Sequence, residues 1–230
     1  MQPRIVEVRR DIFKKNDLLA RELRERFEQT GIFAISLVSS PGAGKTTLLE
    51  QTLKQLSLKY RVATLVGDLA TDHDAQRLQR AGGLVRQITT GTVCHLDAEM
   101  VRAALTGWQL DTIDFLFLEN VGNLVCPASY DLGEQLRVVL MSVTEGEDKP
   151  LKYPTIFHSA DLAVITKTDL AEAAAFDRAL ALSNICEVRP GLPVLELSAR
   201  SGAGVPEWIA TLERTLIQTR STRFADTIRR

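Results

Sequence analysis

Apolar and polar residues follow two alternating patterns along the chain. Short apolar runs, several of them rich in β-branched residues, recur between stretches that have helical spacing or read as loops. Seven of these runs are predicted strands: residues 32–38, 61–66, 84–88, 115–118, 136–143, 162–166 and 194–197. Largely apolar strands that alternate with helices are typical of a parallel sheet covered on both faces. The pattern therefore predicts an α/β fold with three layers and a mainly parallel sheet.

The first 30 residues have a pattern of their own. Residues 11–29 place apolar side chains near helical spacing, with basic residues between them, and predict an amphipathic helix that packs on the core. Its apolar positions are Ile12, Phe13, Leu19, Leu23 and Phe27. No repeat, low-complexity tract or Gly/Ser linker divides the remainder. We expect an N-terminal arm and helix at 1–30, one domain at 31–218 and a basic C-terminal tail at 219–230.

Composition narrows the class of protein. Hydrophobic residues make up 45% and charged residues 25%, as in ordinary folded chains. A net charge of -1 argues against a main role in binding nucleic acid or membrane, since both need a basic excess. The N-terminus carries charges every few residues, so it has neither the apolar stretch of a signal peptide nor one long enough to span a membrane. We therefore expect a cytoplasmic protein. Three cysteines are too few for a disulfide framework and leave thiols free to bind metal.

A phosphate-binding loop is predicted directly after the first strand. Residues 39–47 read Ser-Ser-Pro-Gly-Ala-Gly-Lys-Thr-Thr and lead into a predicted helix at 46–58. Glycines turn backbone N–H groups toward a phosphate, Lys45 can reach the terminal phosphates and Thr46 is suited to bind Mg²⁺. Ser39 stands where the strict motif has glycine. The nucleotide-binding residues predicted here are Pro41, Gly42, Ala43, Gly44, Lys45, Thr46 and Thr47, and they define a P-loop NTPase fold.

Acidic residues follow two other strands. Asp68 ends the second strand and Glu119 a later one, where each can hold Mg²⁺ directly or through water. Gly122 can offer its N–H to the γ-phosphate, as in an acid-x-x-Gly switch. Asp68 and Glu119 could instead be turn formers. Asp72 and Asp74 are weaker candidates: one is expected to cap a helix, and the other can approach the metal or the attacking water.

A base site is predicted after the sixth strand. Thr166-Lys167-Thr168-Asp169 resembles the Asn-Lys-x-Asp guanine motif, with threonine in place of asparagine. The carboxylate of Asp169 can accept hydrogen bonds from N1–H and the N2 amine of guanine, and adenine offers neither donor there. Lys167 can cover the purine face, and the backbone at Ser198 and Ala199 can contact guanine O6. The alternative is a solvated turn.

Two cysteines and a histidine lie on predicted loops at the same end of the sheet. Cys94 precedes His95 after the third strand, and Cys126 follows the fourth. Thiolate and imidazole are ligands that Zn²⁺ and Ni²⁺ prefer. The alternative is that a lone cysteine is a small buried residue, and we interpret Cys186 in this way because Ile185 and Val188 flank it in a helical stretch.

Together these motifs resemble the HypB family of GTPases, which help to insert nickel into [NiFe]-hydrogenase. The segments that carry the resemblance are residues 39–47, 67–68, 94–95, 119–127, 149–154 and 166–169. Similarity extends over about residues 5–217. It implies a P-loop domain of the SIMIBI class that dimerises with nucleotide. It also implies a Zn²⁺ or Ni²⁺ site at the dimer interface, built from Cys94, His95 and Cys126.

The resemblance implies partners as well. These are a second copy of the chain, a small nickel-carrier protein and the precursor of the hydrogenase large subunit. The sequence has no Cys-rich segment. Its only histidines are His73, His95 and His158, so it has no His-rich nickel-storage segment either. Metal handling is therefore expected to rest on the interface site.

The predicted function is a slow, Mg²⁺-dependent GTPase whose nucleotide state controls dimerisation and metal affinity. Lys45, Asp68, Glu119 and Gly122 are the expected catalytic residues, and Thr46, Asp68 and Glu119 the expected Mg²⁺ ligands. Cys126 lies four residues beyond Gly122, so a γ-phosphate that moves Gly122 can move a metal ligand. The alternatives are a urease-type GTPase, which normally has Cys-Pro-His where this chain has Cys94-His95, a cobalamin-enzyme GTPase chaperone and a nucleotide-gated scaffold without turnover.

Overall fold

A computed structural model describes the backbone of residues 3–68 and 72–228 and the side chains of 13–68 and 72–221. The strands are β1 Phe33–Ser39, β2 Val62–Asp68, β3 Leu84–Thr89, β4 Phe115–Glu119, β5 Leu136–Ser142, β6 Leu162–Thr166 and β7 Val194–Glu196. The helices of the described chain are α1 Pro3–Thr30, α2 Lys45–Leu56, α3 His73–Arg80, α4 Ala98–Ala104, α5 Lys149–Lys152, α6 Pro154–Ser159, α7 Arg178–Val188 and α8 Val205–Ile228. Each of the seven predicted strands corresponds to one of these strands.

The strands form one sheet in the order β3-β2-β4-β1-β5-β6-β7. Every neighbouring pair is parallel. Near the carboxyl end of the sheet, Glu119 of β4 is in register with Leu37 of β1 and with Val66 of β2. The loops that follow β1, β2 and β4 therefore leave the sheet side by side, which is where parallel sheets bind ligands.

Helices cover both faces of the sheet. One face packs against α2, α3 and α8, and Trp208 of α8 donates a hydrogen bond to Thr52 of α2 across 2.9 Å. The other face packs against α1 and α4 beside β2 and β4, and against α6 and α7 beside β5 and β6. Side chains that alternate along β1 enter opposite layers, as Ala34 and Ile35 do. The predicted three-layer α/β fold with a parallel sheet is confirmed.

The terminal helices are longer than the sequence pattern indicates. α1 begins at Pro3 and packs through Leu19, Leu23 and Phe27, which are 9%, 2% and 0% exposed. The side chain of Ile12, also predicted on this face, lies outside the described side chains. α8 runs through the boundary drawn at 218/219 and ends at Ile228. Among the described helices, none combines the length and the apolar composition that crossing a bilayer requires.

The prediction that Cys186 belongs to the core is wrong. Its side chain is exposed on α7, whereas Ala181, Asn184 and Ile185 are the buried residues of that helix. Successive helix positions differ by about 100°, so a buried Ile185 turns the next side chain outward.

Candidate functional site

The segment 39–47 connects β1 to α2 as the sequence predicts. Gly42 and Gly44 have φ angles of 76° and 98°, a left-handed conformation that glycine adopts without the strain a Cβ would add. Gly44 is also the N-cap residue that precedes α2, and it makes no side-chain capping hydrogen bond to the first turn of that helix. The open N–H groups and the helix dipole favour an anion at this point.

Ser39, the departure from the strict motif, holds the P-loop lysine. Lys45 Nζ donates a hydrogen bond to Ser39 Oγ across 2.9 Å. Burial lowers the pKa of Lys45, and the nearby carboxylate of Glu119 partly offsets this effect. The serine hydroxyl therefore gives a buried ammonium a partner, which a glycine at this position would not provide.

Thr46 and Glu119 meet at the carboxyl end of β4. The Thr46 hydroxyl donates to Glu119 Oε1 across 2.6 Å, and the other carboxylate oxygen is buried without a hydrogen-bond partner in the described part of the chain. Burial raises the pKa of Glu119 to about 7. A hydroxyl beside an unsatisfied carboxylate oxygen is an oxygen donor set of the kind Mg²⁺ binds, so these residues fit that ion.

Three further acids lie at the end of β2 and the start of α3. Asp68 ends β2, and its backbone carbonyl accepts the N–H of Thr90 across 2.9 Å. Asp72 stands just before α3, but its carboxylate accepts from Gln76 Nε2 at 2.7 Å and makes no capping hydrogen bond. Asp74 lies in the first turn of α3, and its negative charge adds to the effect of burial in raising the pKa of Glu119. A Mg²⁺ role for Asp72 or Asp74 stays a prediction.

The predicted base segment adjoins the P-loop. Thr166 is buried at the end of β6 and donates to the Ala43 carbonyl across 2.7 Å, so the threonine that replaces asparagine joins β6 to the P-loop. Lys167 has a φ of 58°, and its Cε lies 3.9 Å from where a Cβ on Gly44 would stand. Asp169 is exposed in the 3₁₀ turn that follows.

The segment after β7 lies beside that turn. The N–H of Thr168 donates to the Leu197 carbonyl across 3.3 Å. Ser198 is fully buried, and its hydroxyl accepts the N–H of Ser201 at 3.1 Å. Ser198 and Ala199 are therefore neighbours of the 167–169 segment, as a two-part base site requires.

Cys94, His95 and Cys126 come together although 32 residues separate the two cysteines. One ligand atom from each lies within 4.8 Å of the others, and the two Sγ atoms are 2.9 Å apart. Tetrahedral Zn²⁺ with Zn–S bonds of about 2.3 Å spaces two sulfurs by about 3.8 Å, so metal binding would separate the thiols slightly. The donor set fits Zn²⁺ or Ni²⁺.

The pKa values of His95 and Cys126 are shifted in opposite directions. Burial lowers the pKa of His95, which favours the neutral imidazole that binds metals. Its Nδ1 atom is buried without a hydrogen-bond partner among the described residues. The hydrogen bond with Cys94, followed by burial, raises the pKa of the Cys126 thiol.

Two asparagines that sequence reasoning did not single out join β4 to the loop of Cys94. Asn120 Oδ1 accepts the N–H of Leu96 across 3.0 Å, and Asn123 Nδ2 donates to the Cys94 carbonyl at 3.3 Å. Asn123 Oδ1 also accepts the N–H of Val125 across 2.8 Å. The only sequence signal was their place between Glu119 and Cys126.

Gly122 brings this segment against the phosphate loop. A Cβ added to Gly122 would stand 2.9 Å from Pro41 Cα. One segment, 119–126, therefore contacts the P-loop at Gly122, contributes Glu119 to the Mg²⁺-type site and contributes Cys126 to the thiol cluster.

Known proteins resemble most of the chain. Residues 33–196 match the CobW/HypB/UreG nucleotide-binding domain. The hydrogenase maturation factor HypB of Azotobacter chroococcum mcd 1 is 50% identical over 215 residues, which cover 93% of this chain and 70% of the relative. The crystal structure of HypB from Helicobacter pylori in complex with nickel is 38% identical, with a TM-score of 0.85, and the match covers 89% of this chain and 96% of that one.

A more distant likeness concerns the fold alone. The signal recognition particle 54 kDa protein of Aeropyrum pernix K1, solved with GDP, is 16% identical with a TM-score of 0.55. The match covers 88% of this chain and 55% of that one. This likeness agrees with the three-layer α/β fold of the chain.

Proposed function

The chain belongs to the HypB hydrogenase maturation factors of the CobW/HypB/UreG family, and from this premise we propose that it is a GTPase that carries nickel or zinc. The metal is cargo, bound by Cys94, His95 and Cys126 and released after GTP hydrolysis. The observation that carries the proposal is the packing of Gly122 on Pro41, because Cys126 lies four residues farther along the same segment.

The phosphate chemistry rests on a few side chains. Lys45 leaves Ser39 and neutralises charge on the β- and γ-phosphates, while the N–H of Gly122 contacts the γ-phosphate. Thr46, Asp68 and Glu119 would hold Mg²⁺, which supplies positive charge to the phosphate oxygens when bound. None of these residues is a base placed for the attacking water, so we expect slow hydrolysis.

Guanine specificity depends on the segment beside the P-loop. Asp169 accepts from the guanine N1–H and N2 amine, and Lys167 covers the purine face. Ser198 and Ala199 contact the O6 atom through the backbone. The 3.9 Å approach of Lys167 Cε to the position of a Gly44 Cβ supports this arrangement, because it joins the base segment to the phosphate loop.

Metal release follows from the shared segment. A γ-phosphate that draws Gly122 inward moves Cys126 relative to Cys94, and hydrolysis reverses that movement. A tetrahedral ion needs four ligands and each protomer offers three, so a second copy of the chain can supply the fourth ligand. Homodimerisation that depends on nucleotide and metal is part of the proposal.

The relatives support nickel as the cargo and hydrogenase as its destination. One relative is named a hydrogenase maturation factor, and the solved structure of another contains nickel. We propose that the chain acts in the cytoplasm, receives or passes nickel through a small carrier protein and serves the precursor of the hydrogenase large subunit. Zinc is the alternative occupant of the same ligands.

Phosphate release by the purified protein tests whether it is a GTPase. Wild type with GTP and Mg²⁺ should release phosphate, and Lys45→Ala should abolish the activity because the phosphate charge is no longer neutralised. Lys54→Ala is the matched control, since this α2 lysine is exposed and pairs with Glu50. Equal rates in wild type and Lys45→Ala would assign the activity to a contaminant and favour a scaffold without turnover.

A further inference from the structure

Asn16 of α1 bridges the two loops that carry the candidate metal ligands. Its Nδ2 donates to the backbone carbonyl of Asp131 and its Oδ1 accepts the N–H of Ala98, each across 2.9 Å. The side chain is 5% exposed. Each end of this one amide therefore holds a different loop.

These loops are the ones that contain the thiols and the imidazole. Ala98 begins α4 three residues after His95, and Asp131 lies five residues after Cys126. Asp131 is fixed a second time, because Arg24 of α1 contacts both of its carboxylate oxygens at 2.7 and 2.8 Å.

Two aromatic contacts connect α1 to the imidazole of His95 through the ring of Tyr130. The ring of Tyr130 stacks on His95 with centroids 3.9 Å apart and planes inclined by 28°. Phe13 of α1 in turn packs against Tyr130, with the two ring centroids 5.4 Å apart. The N-terminal helix thus contacts the ligand loops through an amide, an ion pair and an aromatic ring.

We propose that Asn16 is a positioning residue, which sets the distance between the Cys94-His95 loop and the Cys126 loop before metal arrives. The inference rests on the proposed metal-carrying function. Ligands held near their final geometry lose less conformational freedom when the ion binds. Partners that hydrogen-bond metal ligands directly typically change metal affinity by about 10–100-fold when they are removed, and Asn16, which acts through backbone three and five residues from the ligands, is expected near the lower end of that range.

The alternative is that Asn16 only stabilises the fold, and Asn184 provides the matched control. Asn184 is 6% exposed on α7, and its Nδ2 donates to the Glu147 carbonyl across 2.9 Å. It is as buried as Asn16 and holds a loop in the same way, but that loop carries no candidate metal ligand.

Titration of Zn²⁺ and Ni²⁺ against a chromophoric chelator, with unfolding and GDP affinity measured on the same samples, separates the two explanations. Asn16→Ala should weaken metal binding by about tenfold or more and leave GDP affinity unchanged. Asn184→Ala should lower stability and leave metal affinity unchanged. Equal metal affinity in wild type and Asn16→Ala, or an equal loss in both variants, would overturn the inference.

Amide hydrogen exchange in the wild-type protein tests the same point without a substitution. Coupling is reciprocal, so a hydrogen bond that improves metal binding must itself be stabilised by metal. Exchange of the Ala98 N–H should slow by about tenfold on addition of Zn²⁺, and an unchanged rate would contradict the proposal. Failure of wild type to bind either metal would instead refute the proposed function.

Discussion

Gly122 packs against Pro41 so closely that a side chain at 122 would displace the phosphate loop. A Cβ would stand 2.9 Å from Pro41 Cα and 3.0 Å from its nitrogen, and backbone atoms cannot turn aside as the end of a flexible side chain can. The contact joins the nucleotide loop to the segment that ends in Cys126. A movement of the nucleotide loop is therefore expected to move the segment that carries Cys126.

Gly122→Ala should weaken GDP and GTP binding. Overpacking of this kind costs about 1–3 kcal/mol, so affinity should fall by about tenfold in a fluorescent-nucleotide titration. Gly83→Ala is the control, since its Cβ would meet the flexible end of the Leu53 side chain at 3.0 Å and would stand 3.5 Å from the backbone carbonyl oxygen of Val62, which is an ordinary contact. Normal nucleotide affinity in Gly122→Ala would show that the contact is not maintained in the bound protein.

Glu119→Gln should change how stability depends on pH. The folded-state pKa of Glu119 is about 7, raised by burial from an ordinary value of 4.5. The folded protein therefore binds a proton between these values that the unfolded chain does not bind. Its stabilising effect is complete below pH 4.5 and is lost as pH rises through 7.

Urea unfolding without nucleotide or Mg²⁺ measures this effect. Wild type should lose on the order of 2 kcal/mol relative to Glu119→Gln between pH 5.5 and pH 8. The neutral glutamine should make the variant the more stable protein at pH 8, while Mg²⁺-dependent hydrolysis is lost. Parallel pH curves for the two proteins would contradict a neutral Glu119.

Asp169→Asn should change the preferred base. An amide accepts through its oxygen and donates through its nitrogen, which suits the N1–H and C2 carbonyl of xanthine better than the two donors of guanine. GDP affinity should fall by about 100-fold and XDP affinity should rise. Competition of both nucleotides against a fluorescent analogue measures the change, and retention of GDP preference would remove Asp169 from the base site.

Cys94→Ser and Cys126→Ser should each abolish tight metal binding. Serine has nearly the same shape as cysteine, but its hydroxyl is a poor ligand for Zn²⁺ and Ni²⁺. Cys186→Ser is the control because this thiol is exposed on α7. Metal content after gel filtration should be unchanged in the control and near zero in the other two, and a full complement in Cys94→Ser would disprove the site.

Features carried by local patterns were predictable from the sequence. The apolar runs gave all seven strands, and the order of strand, Gly-rich loop and helix located the P-loop. Parallel strands end at one edge, so residues that follow β3 and β4 meet there, and the structure brings Cys94 and Cys126 together as this rule implies.

Features that depend on tertiary contacts were not predictable. Ser39 and Thr166 looked like weakened motif positions, yet one holds Lys45 and the other joins β6 to the Ala43 carbonyl. Cys186 has buried neighbours in sequence but faces outward, because burial follows the helical period and not adjacency. Asn16 gives no sequence signal, since its partners are 82 and 115 residues away.

Metal affinity measured in different nucleotide states tests the central claim most directly. Wild type is titrated with Ni²⁺ and Zn²⁺ in the presence of GDP or of a non-hydrolysable GTP analogue with Mg²⁺, and its dimer fraction is followed by gel filtration with metal quantitation. The account predicts that metal affinity and dimer fraction differ between the two nucleotides and that Gly122→Ala removes most of the difference. Identical metal affinity and dimer fraction in both states would contradict it.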